Sequence, residues 1–549
     1  MIKTILSKWQ RYWHTLRYLR LVQIIGRLQH FLRRPVIDDS VRNCGLRSAL
    51  GEWVLPARRS QRMLSHQTFC FLNETHDISN TTDWNSSNYS KLWLYNLHYF
   101  DDLTAVDAEQ RSGLHRELID FWIDENPPGI GNGWEPYPSS LRIVNWIKWA
   151  LAGNELSDKC IHSIAIQVRF LTQNLETHLL GNHLFTNAKA LLFAGLFFDG
   201  DEAERWYQLG CKLIERELSE QVLADGGNFE LSTMYHMIFL EDLLDITNLQ
   251  RTYAQTQQNG LEERIPSMFN WLNTMCHPDG EISFFNDAAS GITPPVNEIK
   301  KYGSRLKLLN EDCNKDGVHF LAASGYSRVQ LGDAVALIDR AAIGPDYLPA
   351  HAHADTLSFE LSLFGQRVIV NSGTSVYGTG KDRQEERSTS AHATIEIDGQ
   401  DSSEVWAGFR VARRARVSDC FESQSDDVIR LGACHNGYKR LTGKPKHCRE
   451  WIFVKNNLVF KDKVKGKGIH LLKSVLPLHP NVEVTSIEGN QAKLSIMGNK
   501  VDISIEGDGE LIVINSNYHP EFGLSIPNRH LVFSNNATLP VEIITRINW

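Results

Sequence analysis

The chain carries 549 residues, 57 Lys and Arg against 65 Asp and Glu, a net charge of −8, and 42% hydrophobic against 22% charged residues. The acidic balance argues against general nucleic-acid binding, which needs a basic footprint, yet admits an anionic ligand in a locally basic cleft. The ordinary globular composition supplies material for two large domains or more.

Residues 1–30 set Lys3, Lys8, Arg11, Arg17 and Arg20 among Trp, Tyr and Leu. They show neither the continuous apolar core of a signal peptide nor a run long enough to span a membrane. The expectation is a cytoplasmic protein whose basic, amphipathic N-terminal helix packs on its own domain or makes peripheral membrane contact. Nine scattered cysteines without a CxxC pair favour a reducing compartment and argue against a thiolate zinc site.

To about residue 300 the chain reads helical, with stretches at 114–125, 140–152, 160–176, 202–221, 234–249 and 262–275. Leu184, Phe185, Ala188, Leu191 and Leu192 form one further apolar helical stripe. Gly195 continues that face without a side chain, which permits close packing or marks a weak point. Pro- and Gly-rich segments at 127–138, 224–228 and 277–280 punctuate the helices. This pattern suits a helical toroid whose loops build a cleft. Beyond about 310 the chain turns to short β-branched runs: 368–370, 394–397, a 451–460 hairpin around Lys455-Asn-Asn457, 503–505, 511–514, 531–533 and 541–545. Many short strands suggest a sandwich. The expected division is a helical domain over 1–310 and a β-sandwich over 311–549.

Three segments could carry chemistry. Asn182 and His183 open a helix, where free N–H groups and the helix dipole favour an anion; Asn182 could equally be a plain helix cap. In the Asp225 to His236 segment Ser232 can cap a helix whose first turn presents Tyr235, a candidate proton carrier or an ordinary amphipathic tyrosine. His351-Ala-His353-Ala-Asp355 has strict period two, and with Leu357, Phe359, Leu361 and Leu363 it reads as one core-facing side of a strand. Such polar groups are costly in a core unless they are bonded or do chemistry. With Asn371 and His392 downstream, three histidines and one Asn or Asp on adjacent strands could supply a small N/O metal site.

In this order the segments resemble the heparinase II/III-like polysaccharide lyases. The likeness is strongest at Asn182-His183, Asp225 through Tyr235, and His351 through Gly399, with 134–146 and Asn96 through Phe100 as further family-like cleft segments. It implies an incomplete (α/α) toroid followed by an antiparallel β-sandwich. It also implies β-elimination on an acidic, uronate-containing polysaccharide such as a glycosaminoglycan or alginate; the lack of a readable export signal adds the expectation of a capsule or exopolysaccharide pathway. On this resemblance Asn182 and His183 bind the uronate carboxylate, Tyr235 is proton donor or base, and His351 is the base or its partner. Glu230, Trp134, Tyr137, Arg142 and Arg387 are its expected substrate contacts. A structural zinc ion would lie on His353, position 371 and His392, but position 371 is Asn where an aspartate is common, and a neutral amide is the poorer zinc ligand. Two other readings stay open: a non-catalytic carbohydrate-binding or assembly protein, and a toroidal glycoside hydrolase, which needs two opposed carboxylates from among Glu135, Glu230 and Asp287.

Overall fold

The computed structural model describes residues 2–32, 34–40, 45–254, 260–309, 315–425 and 427–549. The N-terminal segment is not one helix but two, Ile2–Leu16 and Leu21–Leu32. Among the described residues eight helices then build an open (α/α) toroid: Lys91–Tyr99, Ser112–Glu125, Pro136–Leu151, Asp158–Gln173, Gly181–Phe197, Asp201–Gln221, Thr233–Thr252 and Leu261–Met275. Gly181–Phe197 is apolar on nearly every side and correspondingly buried, as a helix hydrophobic all round must be. It packs against Pro136–Leu151, Asp201–Gln221 and Thr233–Thr252. Gly195 is a close-packing position, because a Cβ there would lie 2.5 Å from the Tyr207 backbone nitrogen.

The toroid interior holds a buried ionic network. Lys189 Nζ donates to Asp242 and Asp245, each at 2.7 Å, Lys148 Nζ donates to Asp245 at 2.9 Å, and Arg59 pairs with Glu241 at 2.6 Å. Removing one member strands its partners away from water. Lys189→Met is therefore expected to lower stability by about 3–5 kcal/mol; an unchanged denaturant midpoint would refute that accounting.

Two toroid histidines make stability depend on pH. His98 accepts from Trp122 Nε1 and faces the Trp84 carbonyl, while His236 accepts from the Asn228 N–H and faces the Met268 carbonyl. Both rings are neutral, and burial lowers each to about 3. Between the unfolded value near 6.5 and the folded value only the unfolded chain takes up these protons, so stability falls as pH falls. Each histidine is expected to contribute a slope of up to about 1.4 kcal/mol per pH unit between pH 6.5 and 4. His236→Gln should flatten the measured profile over that window.

After the helix Val296–Arg305 the chain becomes β. A five-stranded antiparallel sheet spans residues 317–369, and a bridge from Ile369 to Leu478 leads into a four-stranded antiparallel sheet. An eight-stranded antiparallel sheet forms the other layer. The layers meet through Phe359, whose ring lies 6.4 Å from Trp451 and 5.3 Å from Phe460. The 451–460 hairpin forms as Lys446–Val454 and Asn457–Lys465. Cys434 and Cys448 lie opposite each other on paired strands and are joined by a disulfide, a pairing that scattered spacing does not reveal.

The 351–355 segment corrects the strand expectation. Residues 351–358 form irregular loop, and the strand begins only at Phe359. Leu357 has φ 63°, which breaks any extended run. The segment is buried almost throughout instead of alternating. The two histidines nevertheless converge, because both turn toward one carboxylate of the toroid side.

Candidate active site

The site forms where toroid loops meet the sandwich. Leu180 and Gly181 enter the Gly181–Phe197 helix with φ 65° and 54°. A Cβ at Gly181 would lie 2.5 Å from Leu348 Cδ2, so glycine serves both the backbone conformation and the close approach. Asn182 is not the cap but sits in the first turn. Its Nδ2 donates to Tyr137 Oη at 3.0 Å, and its backbone N–H reaches Glu230 at 3.4 Å. His183 Nδ1 pairs with Glu176 at 3.0 Å, and its side chain stays 38% exposed. Burial works against a charge on His183, but Glu176 outweighs it and raises the ring above 6.5.

Ser232 caps the next helix as expected, accepting from the Tyr235 N–H at 3.2 Å. Tyr235 thereby stands on the first turn with its ring stacked on His351 at 3.9 Å and its hydroxyl 3.0 Å from Tyr377 Oη. Burial, with Tyr377 and Asp287 near, pushes the phenol well above its ordinary value, so Tyr235 holds its proton. His351 Nδ1 meets Asp287 Oδ2 at 2.9 Å, which leaves Nε2 as the free face, 3.5 Å from Glu230 Oε2. Burial raises Glu230.

Asp287 is the residue sequence reasoning passed over, having named it only as a hydrolase carboxylate. It is fully buried and binds His351, His353 Nε2 at 2.8 Å, and both terminal nitrogens of Arg383, Nη2 at 2.6 Å. Burial opposes its charge, but Arg383 and the two histidines hold it well below the usual carboxylate range. Its setting in Phe284-Phe285-Asn286-Asp287, two polar residues after two aromatics, was the available signal. Arg383, Tyr377 and Glu176 had none in a single sequence. Asp355 lies behind the site, accepts from the Asn286 N–H at 3.2 Å, and is raised to about 6 by burial.

Three expected substrate contacts are corrected. Arg142 is fully buried and donates to Gln167, the His98 carbonyl and the Gly133 carbonyl. Arg387 is fully buried on the carbonyls of Ala352 and Gly408. Trp134 packs against Trp122 and Phe170 and donates to the Asn126 carbonyl. All three spend their polar groups on partners within the protein, which cationic and indole donors do as readily as they bind ligand. Tyr137 and Glu230 do line the site, through Asn182 and His351.

The residues considered for zinc are gathered but do not complete a site. The His353 and His392 rings lie 5.3 Å apart, and His353 Nδ1, His392 Nε2 and Asn371 Nδ2 are buried without partners. Burial lowers His353 to about 4 and holds His392 well below its ordinary value, so both rings are neutral as ligands must be. The Asn371 oxygen, however, is taken by His392 Nδ1 at 2.8 Å. Two imidazole nitrogens remain where zinc takes at least three protein donors, and no group of three His, Cys, Asp or Glu is placed to hold a metal among the described residues.

Residues 151–341 match the heparinase II/III N-terminus and residues 314–549 the heparinase II/III-like C-terminal region. A heparin-sulfate lyase of Pedobacter heparinus is 28% identical over 255 residues, 41% of this chain and 38% of that protein. One of Bacteroides stercoris is 26% identical over 311 residues, 52% of this chain and 44% of that protein. The matches thus span less than half the length of these curated relatives. The crystal structure of a heparinase III superposes with a TM-score of 0.68 at 16% identity, covering 87% of this chain and 79% of that one, a likeness of fold. With both regions matched in sequence and the toroid and sandwich joined in the same order, the chain belongs to the heparinase II/III-like family.

Proposed function

We propose that the chain is a polysaccharide lyase that cleaves a uronate-containing acidic polysaccharide by β-elimination. The observation that carries this reading is the stacked Tyr235–His351 pair, one member held protonated and the other with Nδ1 held by Asp287 and Nε2 turned toward Glu230. His351 Nε2 takes the C5 proton, the C5–H electrons form the C4–C5 double bond, the C4–O bond breaks, and the departing oxygen takes the Tyr235 proton. Carboxylate charge must be neutralised as the enolate develops; Asn182 and the charge-favouring His183 stand ready for that. Glycosaminoglycans are the first substrates to test, since the relatives named above are heparin-sulfate lyases, and a role in a capsule or exopolysaccharide pathway follows only if such a polymer is cleaved. The test is product chemistry: a panel of uronate polymers should yield an unsaturated product absorbing in the ultraviolet. Saturated products, or none from any polymer, would sink the reading.

The hydrolase alternative fares worse on geometry. Asp287 is enclosed by Arg383 and two histidines and is not free to activate water. Glu135, the remaining candidate to oppose Glu230, is engaged by Lys91 at 2.9 Å and by the Tyr95 hydroxyl.

Zinc has no step in this scheme. Elemental analysis of chelator-dialysed protein is expected to give well under one zinc per chain with an unchanged thermal midpoint. A midpoint lost on dialysis and restored by zinc would show that the two imidazoles find further donors.

A further inference from the structure

The N-terminal helices are amphipathic the wrong way round. On Leu21–Leu32 the buried residues are Gln23 and Gly26. Gln23 Nε2 donates to the Tyr347 carbonyl, and a Cβ at Gly26 would meet the His178 backbone at 3.0 Å. The apolar stripe Leu21, Ile24, Ile25, Leu28, Phe31 and Leu32 faces outward, with Phe31 85% exposed and Leu32 74%. Trp9, Trp13 and Leu16 continue this apolar character on Ile2–Leu16, with Trp9 72% exposed and Trp13 66%. An exposed apolar stripe of this kind marks an interaction surface.

Both helices are nonetheless fixed to the body. Arg20 pairs with Glu220 at 2.5 Å and lies over the Tyr347 ring at 3.6 Å. Tyr12 packs edge-on against Trp406, and Arg413 donates to Gln10. These contacts use polar groups and ring edges, and leave the apolar stripe uncovered.

Charge identifies the occupant. Eight lysines and arginines and no aspartate or glutamate precede Asp38. A second copy would bring two such cationic segments together, which Coulomb repulsion opposes. An anionic polymer would satisfy the cations but not the exposed Trp, Phe, Ile and Leu. A lipid surface with anionic headgroups satisfies both, with indoles at headgroup depth and aliphatic side chains below. We propose that residues 2–32 dock the protein peripherally on an anionic lipid surface, their two helices lying in its plane. Among the described residues no helix is long and apolar enough to cross a membrane. Through Tyr347, which packs against Phe229 next to Glu230, the dock is tied to the wall of the candidate active site. The proposal does not depend on the lyase reading.

The test is co-sedimentation of the full chain with vesicles of phosphatidylcholine alone or mixed with phosphatidylglycerol. Binding is expected to the anionic vesicles only, weakened by salt. The double variant Trp13→Glu, Phe31→Glu should bind them at least about tenfold more weakly with an unchanged thermal midpoint, since both side chains are exposed. No sedimentation with either vesicle, or equal binding by the double variant, overturns the proposal. So does a wild-type dimer in light scattering that the double variant dissociates, or binding of a soluble acidic polysaccharide that the same variant abolishes while vesicle binding persists.

Discussion

Asp287→Asn is expected to cost about 10³- to 10⁴-fold in kcat, the scale found when the carboxylate behind a catalytic imidazole is replaced by its amide. Asp287 accepts from His351 Nδ1, and this bond leaves Nε2 as the lone pair facing the site. An asparagine can present its NH₂ to Nδ1 instead, which moves the ring proton to Nε2 and removes the base. The same change leaves the Arg383 guanidinium, 1% exposed, without its counter-charge. Breaking a buried pair in this way costs about 3–5 kcal/mol of stability. The two effects separate in measurement. Loss of fold would lower the fraction of active protein and be read in the denaturant midpoint. Loss of orientation would lower kcat in protein that remains folded. A folded Asp287→Asn protein retaining activity within tenfold of the parent would show that Asp287 is architectural and that His351 is oriented by something else.

Much of this site was legible because its residues lie in local patterns that physics ties to position. Ser232 three residues before Tyr235 is a cap and a first-turn side chain, and both are observed. Gly181-Asn182-His183 before an apolar stripe marks a helix start, as found. Period two in His351-Ala-His353 was read as a strand, yet the segment is loop, because Leu357 adopts a left-handed backbone and both sides of the segment are covered. The histidines still converge, but through Asp287, 64 and 66 positions away in sequence. Long-range pairing of that kind leaves no periodic trace. Arg142 and Arg387 show the opposite failure: a guanidinium has the same letter whether it grips a substrate anion or a loop carbonyl, and only burial separates the two. The N-terminal helices are a third case. Their amphipathicity was plain, but which face meets the protein is decided by Gln23 and Gly26 fitting against Tyr347 and His178, not by hydropathy.

Tyr235→Phe separates chemistry from architecture most cleanly. The hydroxyl makes one bond, to Tyr377 Oη at 3.0 Å, so its removal is expected to cost no more than about 1.5 kcal/mol in stability. The ring stays stacked on His351. Activity, by contrast, should fall about 10²- to 10⁴-fold, the range for loss of a positioned proton carrier. The variant also distinguishes donor from base. If Tyr235 only protonates the leaving oxygen, His351 can still remove the C5 proton in the variant, and the substrate should exchange that proton with deuterated solvent without being cleaved. His351→Ala should abolish exchange and cleavage together. Exchange lost in Tyr235→Phe but kept in His351→Ala would reverse the two roles. The raised proton affinity of Tyr235 argues against that outcome, since a phenol that holds its proton so firmly is poorly suited to start the reaction as a phenolate.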